Sequence, residues 1–230
     1  MRWKKIATLS AVLGAVLFAG LFVGPAYRWG EIELKRRAEA PDPVVATPDE
    51  TRAILTAVLA HHPYEGVPLP PPAPGDPPRE DWPRTLVVSD QSLCLYRTTP
   101  RAGCGDGDTL VVYSELDPVA PLKLRTELVM ANREAQRLSL DGIPGTRVVA
   151  QVDIDRTLQQ PGWWAAFYRK FGKSAGMVRI TRPVVSADGA RALILVDHSC
   201  DGLCGSVTLF ALDRRNAQWQ VSETFLLGVR

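Results

Sequence analysis

No part of the sequence concentrates positive charge. Lys and Arg number 27 against 25 Asp and Glu, a formal net charge of +2, and they are scattered along the chain. Neutralising phosphates takes clustered cations, so nucleic acid is excluded as a partner. Histidine is scarce, with 3 in 230 residues. His61 and His62 stand together at a helix end, where neighbouring side chains diverge, and read as partners of the helix dipole rather than as a ligand pair. Cysteine is sparse, and none of the four sits in the C-x-x-C spacing of a catalytic redox pair. The spaced carboxylates of an EF-hand loop are missing too, so Asp106-Gly107-Asp108 reads as a turn. No cofactor and no metal is expected.

What the sequence does have is one long apolar run. Ile6 to Gly24 contains only Thr8 and Ser10 as polar residues. As a helix it would be about 28 Å long, close to the ~30 Å hydrocarbon core of a bilayer. Trp3 stands at one edge, and Tyr27 and Trp29 at the other, where amphipathic rings favour the membrane boundary. Gly24-Pro25-Ala26 is a poor signal-peptidase site, and no cysteine nearby could carry lipid. The expectation is an uncleaved transmembrane anchor over residues 1–30, with a cleaved signal peptide of long apolar region as the alternative. Basic residues flank the run on both sides, so charge does not orient it. The paired cysteines do, because bridges persist in oxidising compartments. The C-terminal bulk is therefore expected outside the cytoplasm, on a single-pass protein of a bacterial inner membrane.

Residues 31–47 read as a stalk, and residues 48–230 as one extracytoplasmic α+β domain. Hydrophobic residues at 46% and charged residues at 23% suit a chain that buries a core. Thr47-Pro48-Asp49-Glu50 is a capping box with proline at the first helical position, and predicts a helix to about His62. Residues 63–83, crowded with proline and including Pro70-Pro71-Pro72, read as a stiff surface loop. Leu86 to Val88, Leu93 to Tyr96 and Leu110 to Tyr113 read as short strands. Leu124, Leu128, Ala131, Ala135 and Leu138 predict a helix over 122–138, and Thr146 to Ile154 alternates as a strand. Gly162 to Phe171 is a short aromatic helix. Four strand-length runs follow: Met177 to Val185, Ala190 to Val196, Val207 to Leu212 and Trp219 to Leu227. Asp188-Gly189 marks the first hairpin. The wholly apolar Ala192 to Val196 marks a central strand with both faces covered. The expected end of the fold is an antiparallel β-meander packed by helices.

Chemistry has few places to reside. Of three possible cysteine connectivities, the local pairs Cys94–Cys104 and Cys200–Cys204 are preferred. His198, Cys200 and Cys204 could instead offer copper or zinc one nitrogen and two thiolates, but oxidised sulfur cannot ligate. Gly172-Lys173-Ser174-Ala175-Gly176 matches the G-x-S-x-G of serine hydrolases in the wrong setting, with a helix before it and a strand after. Asp197-His198-Ser199 has the residue types of a triad, but consecutive strand residues point to opposite faces. Trp163, Trp164 and Tyr168 could form an aromatic binding face, with His198 a further candidate; packing on the sheet is the alternative use of those rings.

Several of these motifs together resemble an uncharacterised family of exported bacterial proteins. They are Trp164-x-x-Phe167-Tyr168, the Gly-Lys-Ser-Ala-Gly loop, Ser186-Ala187-Asp188-Gly189-x-x-Ala192-Leu193, Cys200-Asp201-Gly202-Leu203-Cys204-Gly205 and Trp219-x-Val221. Upstream, Leu128-x-x-x-Asn132-Arg133 and the acid-led helix near Glu50 are similar in type. The resemblance spans residues 48–230 and is specific from Trp164 onward. Gly172 stands where the family has proline, and Asp201 where it has glycine. The resemblance implies the local Cys200–Cys204 bridge and no activity. The functional expectation is a non-catalytic binding or interaction module of the cell envelope, held by its membrane helix and facing an envelope protein or a small ligand. The competing readings are a periplasmic hydrolase with an unrecognised site and a periplasmic copper- or zinc-binding protein.

Overall fold

The structure, a computed structural model, describes residues 43–61, 85–96, 104–172 and 174–229. The expected anchor and the proline-rich segment 63–83 lie outside these residues. Among the described residues no helix is long and apolar enough to cross a membrane. Pro43 to Arg230 forms one compact unit.

Its core is an eight-stranded mixed sheet. Strand β1 is Val44–Val45, and helix α1 is Pro48–His61. Strands β2 (Thr85–Ser89) and β5 (Thr146–Val149) run parallel to each other, and β6 (Ser174–Ile180) runs parallel to β2 on its other side. The meander then proceeds antiparallel through β8 (Arg191–Asp201), β9 (Cys204–Arg215) and β10 (Gln218–Val229), with β7 (Val184–Val185) beside β8 beyond the end of β6. The C-terminal meander is thus present, but β5, β2 and β6 at the other end of the sheet are parallel, which the short apolar run at 86–88 alone could not reveal. That run is continuous because β2 lies between two strands and is covered on both faces.

On one face α1 packs its buried Ile54, Leu55 and Val58 against Val88, Val178, Ile194, Phe210 and Trp219. The capping box that starts α1 is formed both ways. The Thr47 N–H donates to Glu50 Oε2 at 3.2 Å, and the Glu50 N–H to Thr47 Oγ1 at 3.3 Å. Arg214 of β9 donates to the same carboxylate at 2.7 Å. Partial burial pushes the Glu50 carboxyl up, but the Thr47 N–H, Arg214 and the Thr47 hydroxyl outweigh it and hold it below the usual glutamate range.

The other face carries four short helices: α2 (Gly107–Val112), α3 (Leu122–Ala131), α4 (Gln151–Leu158) and α5 (Trp163–Phe171). Three of these correct the sequence reading. Leu110 to Val112 is helical rather than a strand. The Asp106 carboxylate caps α2 by accepting the N–H groups of Asp108 and Thr109 at 2.9 and 3.3 Å, and this local signal overrides the strand preference of two valines. Just before it, β3 (Leu95–Tyr96) pairs with β4 (Gly105–Asp106), and the Cys94–Cys104 bridge spans 4.7 Å between Cα atoms. Gly107 has no substitute there, since a Cβ would lie 2.5 Å from the Tyr96 carbonyl oxygen.

Helix α3 stops at Ala131 instead of running to Leu138. The buried Asn132 side chain donates to the Leu128 and Arg182 carbonyls at 2.8 and 3.0 Å and accepts the Arg182 N–H at 2.7 Å. That clamp pulls the chain out of the helix and fixes the break between β6 and β7, where Pro183 has no N–H for a ladder. The Met177 to Val185 run is therefore two strands. Residues 146–154 likewise divide into strand and helix. The Asp90 carboxylate, at the end of β2, accepts the Gln151 N–H at 2.9 Å and so caps α4 from a distance of 61 residues in sequence.

Arg125 of α3 is the largest fully buried side chain, at 1% exposure. Its Nε donates to the Ala120 carbonyl at 2.9 Å, and Nη1 to the Leu110 and Tyr113 carbonyls at 2.7 Å each. Nη2 pairs with Asp117. Burial lowers the guanidinium pKa, and the Asp117 carboxylate opposes it. One planar donor fork thereby satisfies the Leu110 and Tyr113 carbonyls at the end of α2 and the Ala120 carbonyl ahead of α3. Through Asp117, which ends the 3-10 turn Ser114–Leu116, it ties that turn to α3 as well.

Two outcomes follow from the meander. Leu195 is 1% exposed in a strand covered on both faces. Leu195→Ala should cost about 2–5 kcal/mol in urea unfolding. The β9–β10 turn places Asn216 at φ 51° and Ala217 at φ 61°. A type I′ turn favours glycine at the second of these positions, so Ala217→Gly should raise stability by about 0.5–1 kcal/mol in the same titration.

Candidate functional site

The aromatic helix α5 buries one side and leaves its start in solvent. Phe167 and Phe171 pack on Val87, Ile154 and Met177. Trp164 stands edge-on to Phe167 with ring centroids 5.0 Å apart, and Tyr168 lies 5.4 Å from Phe167. The Tyr168 hydroxyl donates to the Cys200 carbonyl at 2.6 Å, joining α5 to the β8–β9 hairpin. Trp163 faces solvent at 66% exposure, and its φ of 34° lies in the region that favours glycine. Gly162, at φ 84°, precedes it. The rings are thus divided: Phe167 and Phe171 serve the core, Trp164 and Tyr168 border it, and Trp163 is displayed.

His198 does not join them. It pairs in register with Val178, which belongs to the α1 face, whereas α5 covers the face of Met177. The ring is buried, with Nε2 2.9 Å from the Ala175 carbonyl oxygen. A carbonyl only accepts, so Nε2 carries the proton. Gly176, at φ 103°, makes room for this arrangement. A Cβ there would lie 2.5 Å from the Ser199 carbonyl oxygen and 3.0 Å from His198 Nε2. The four candidates therefore lie on both sides of the sheet and form no single pocket.

The cysteines are paired as the local connectivity requires. Cys200 and Cys204 are bridged with Cα atoms 5.1 Å apart, and no cysteine among the described residues is free. Joined to each other, these sulfurs have no thiolate to offer a metal. Among the described residues no three His, Cys, Asp or Glu side chains gather as a ligand set. The bridge lies inside a longer hairpin than the apolar runs indicated. Asp201 pairs with Cys204, leaving Gly202 and Leu203 as the turn, with Leu203 93% exposed.

The G-x-S-x-G serine is also accounted for. Ser174 is buried, its hydroxyl donates to the Gly176 carbonyl at 2.7 Å, and it accepts the Gly176 N–H at 3.1 Å. This is a local turn in which the hydroxyl is committed to backbone.

Sequence reasoning missed one charged constellation. Arg179 and Asp197 are directly opposite in the β6–β8 register, and Arg179 Nη2 donates to Asp197 Oδ2 at 2.6 Å. Asp197 is 2% exposed. The pair lies on the helix-covered face, between the Leu193–Leu195 cluster beneath α3 and the Met177 cluster beneath α5. The available signal was a single charge in each of two facing strands, Met177-Val178-Arg179-Ile180 and Val196-Asp197-His198. The place where parallel sheets often hold ligands, beyond the carboxyl ends of the strands, is taken at β2 by Asp90, whose own carboxylate occupies the start of α4.

Compared with protein-family profiles, curated proteins and solved structures, the chain finds no match in any of the three.

Two outcomes test this geometry. Removing either partner of the Arg179–Asp197 pair leaves a charge in the interior, so Arg179→Met or Asp197→Leu should each cost about 3–5 kcal/mol, while the double variant should cost less than either. A thermodynamic double-mutant cycle reads the difference. Thiol labelling of denatured, non-reduced protein should modify no cysteine, and Cys200→Ser with Cys204→Ser should cost about 2 kcal/mol by the chain-entropy treatment of the closed loop. Labelling at both positions would overturn the bridge.

Proposed function

We propose that the chain is a membrane-anchored cell-envelope protein whose domain is a non-catalytic binding or interaction module, held outside the cytoplasm by the helix at Ile6 to Gly24. The observation that carries this reading is the use made of the polar interior. Arg125, Asn132, Asp90 and Ser174 each hold backbone groups, with Asp117 and Arg137 as further side-chain partners of Arg125 and Asp90, so none is poised as an acid, base or nucleophile. The two local bridges support an oxidising compartment, and the apolar run with its aromatic edges supports the anchor. What the domain offers a partner is its surface, where Trp163 at the start of α5 and Leu203 at the β8–β9 turn are among the exposed large apolar side chains.

The protein should stay with membranes through high-salt and carbonate washing, and its intact mass should include residues 1–30. A mature N-terminus near Ala26 or Tyr27 would refute the anchor.

A further inference from the structure

We infer that the outer edge of β10 is an interface between two copies of this chain, which pair their β10 strands antiparallel about a two-fold axis at Leu226. The inference names a partner for the interaction module proposed above and rests on that reading.

β10 is a long edge. Over its 12 residues it is hydrogen-bonded to β9, and among the described residues no strand lies on its other side. The other ends of the sheet, β1 and β5, have two and four residues, and β5 carries the exposed Arg147. Short length, proline and clustered charge are the ordinary means of blunting an edge. β10 has no proline, and its one charged residue is Glu223.

The side chains of β10 are those of an inner strand. Trp219 and Val221 face α1. The pairing with β9 then slips by one residue at Ser222, which reverses the faces and sets Phe225 on the α3 side, opposite Leu209. Leu226, opposite Thr208, lies on the α1 side, and a second slip keeps Leu227 on the α3 side with Phe225. Phe225-Leu226-Leu227 is thus apolar on both faces. The sheet's other apolar runs of three or more are Leu86 to Val88 in β2, Ala192 to Val196 in β8 and Leu209 to Leu212 in β9. Each of those strands has a neighbour along both edges, the setting in which such runs belong. The run in β10 has the same composition on an open edge, where Leu226 is 58% exposed and Phe225 and Leu227 are half-buried.

A second copy fits this edge. The proline-rich residues 63–83 are poorly suited to complete it, since proline has no N–H for a ladder. A strand paired antiparallel with its own copy matches donors to acceptors by symmetry. With the axis at Leu226, that side chain meets its own counterpart on the α1 side, and each Phe225 meets the other copy's Leu227 on the α3 side. Directly opposed apolar pairs of this kind stabilise a sheet. The same register holds the two Glu223 carboxylates about 20 Å apart, whereas an axis at Glu223 would set like charges against each other. One strand edge per copy is a small contact. Anchoring in a common membrane raises the effective concentration of the copies, so a contact too weak to join free molecules still holds.

All four native cysteines are bridged, so an introduced cysteine supplies the free thiol. Opposed Cα atoms in an antiparallel pair are close enough for a disulfide. Full-length Leu226→Cys protein, oxidised in its membranes with copper phenanthroline, should therefore give about tenfold more linked dimer than Val112→Cys, a position 71% exposed at the end of α2. Labelled at its N-terminus and reconstituted in vesicles, the full-length protein should photobleach mostly in two steps and Leu226→Lys in one, with near-ultraviolet circular dichroism unchanged. Mixing Leu226→Lys with Leu226→Glu should restore two-step bleaching, which a folding defect would not allow. Equal cross-linking at the two positions, or two-step bleaching that survives Leu226→Lys, would overturn the pairing, and a mixture that restores nothing would overturn the axis. A protein that is monomeric in both measurements yet resists carbonate would overturn the second copy and leave the anchored interaction module standing. Release by carbonate would instead remove the anchor, and the same cross-linking comparison on concentrated released protein would then decide the pairing.

Discussion

Strand β8 is hydrogen-bonded along both edges and covered on both faces. Along one edge β9 pairs with it from Arg191 to Asp201, and along the other β7 and then β6 share its length. Even-numbered residues Ala192, Ile194 and Val196 face α1, and odd-numbered Leu193 and Leu195 face α3. With the side-chain period fixed at two, a slip of one residue would move the whole set to the wrong side, so the register admits no alternative. The rest of the domain takes its positions from that register. It sets Arg179 against Asp197, aims His198 at Ala175, and delivers the Cys200 carbonyl to Tyr168.

The helices of the other face are short, and none would be stable alone at such lengths. They are joined to the sheet and to one another by a few polar side chains acting at long range in sequence. Arg125 gathers the carbonyls that end α2, Asn132 binds the β6–β7 break, and Asp90 begins α4. Each satisfies backbone groups that a helix end or strand break would otherwise leave bare, which makes these residues costly to lose and poor candidates for chemistry. An interior so occupied directs attention to the surface.

Signals that act within a few residues were legible in the sequence. The Thr47–Glu50 box, the aromatic spacing of α5, the apolar centre of β8 and the two local cysteine pairs each declare themselves within about a dozen positions. The partners that corrected the reading lie far away. Nothing near Ala131 says that a helix should stop there, because the reason is Arg182, 50 residues on. Nothing near Val149 says that a strand becomes a helix, because the cap is Asp90. The parallel pairing of β2 with β5 and β6 is hidden for the same reason, since a crossover leaves no turn to read. For the candidate site, the display of Trp163 depends on a backbone twist after Gly162, and the separation of His198 from the rings depends on strand parity. Residue type indicated neither.

Both bridges join cysteines that are consecutive along the chain, Cys94 with Cys104 and Cys200 with Cys204. A chain oxidised from its N-terminus as it is made or translocated would offer one thiol, then its native partner, and close that pair before the third cysteine emerged. The second pair would then find only itself. At neither step is a wrong disulfide available, so the native pattern needs no isomerase and no reshuffling, reactions that otherwise take seconds to hours. A chain oxidised only after complete synthesis loses that protection, and three connectivities compete. The order of the cysteines thus writes the timing of oxidation into the sequence.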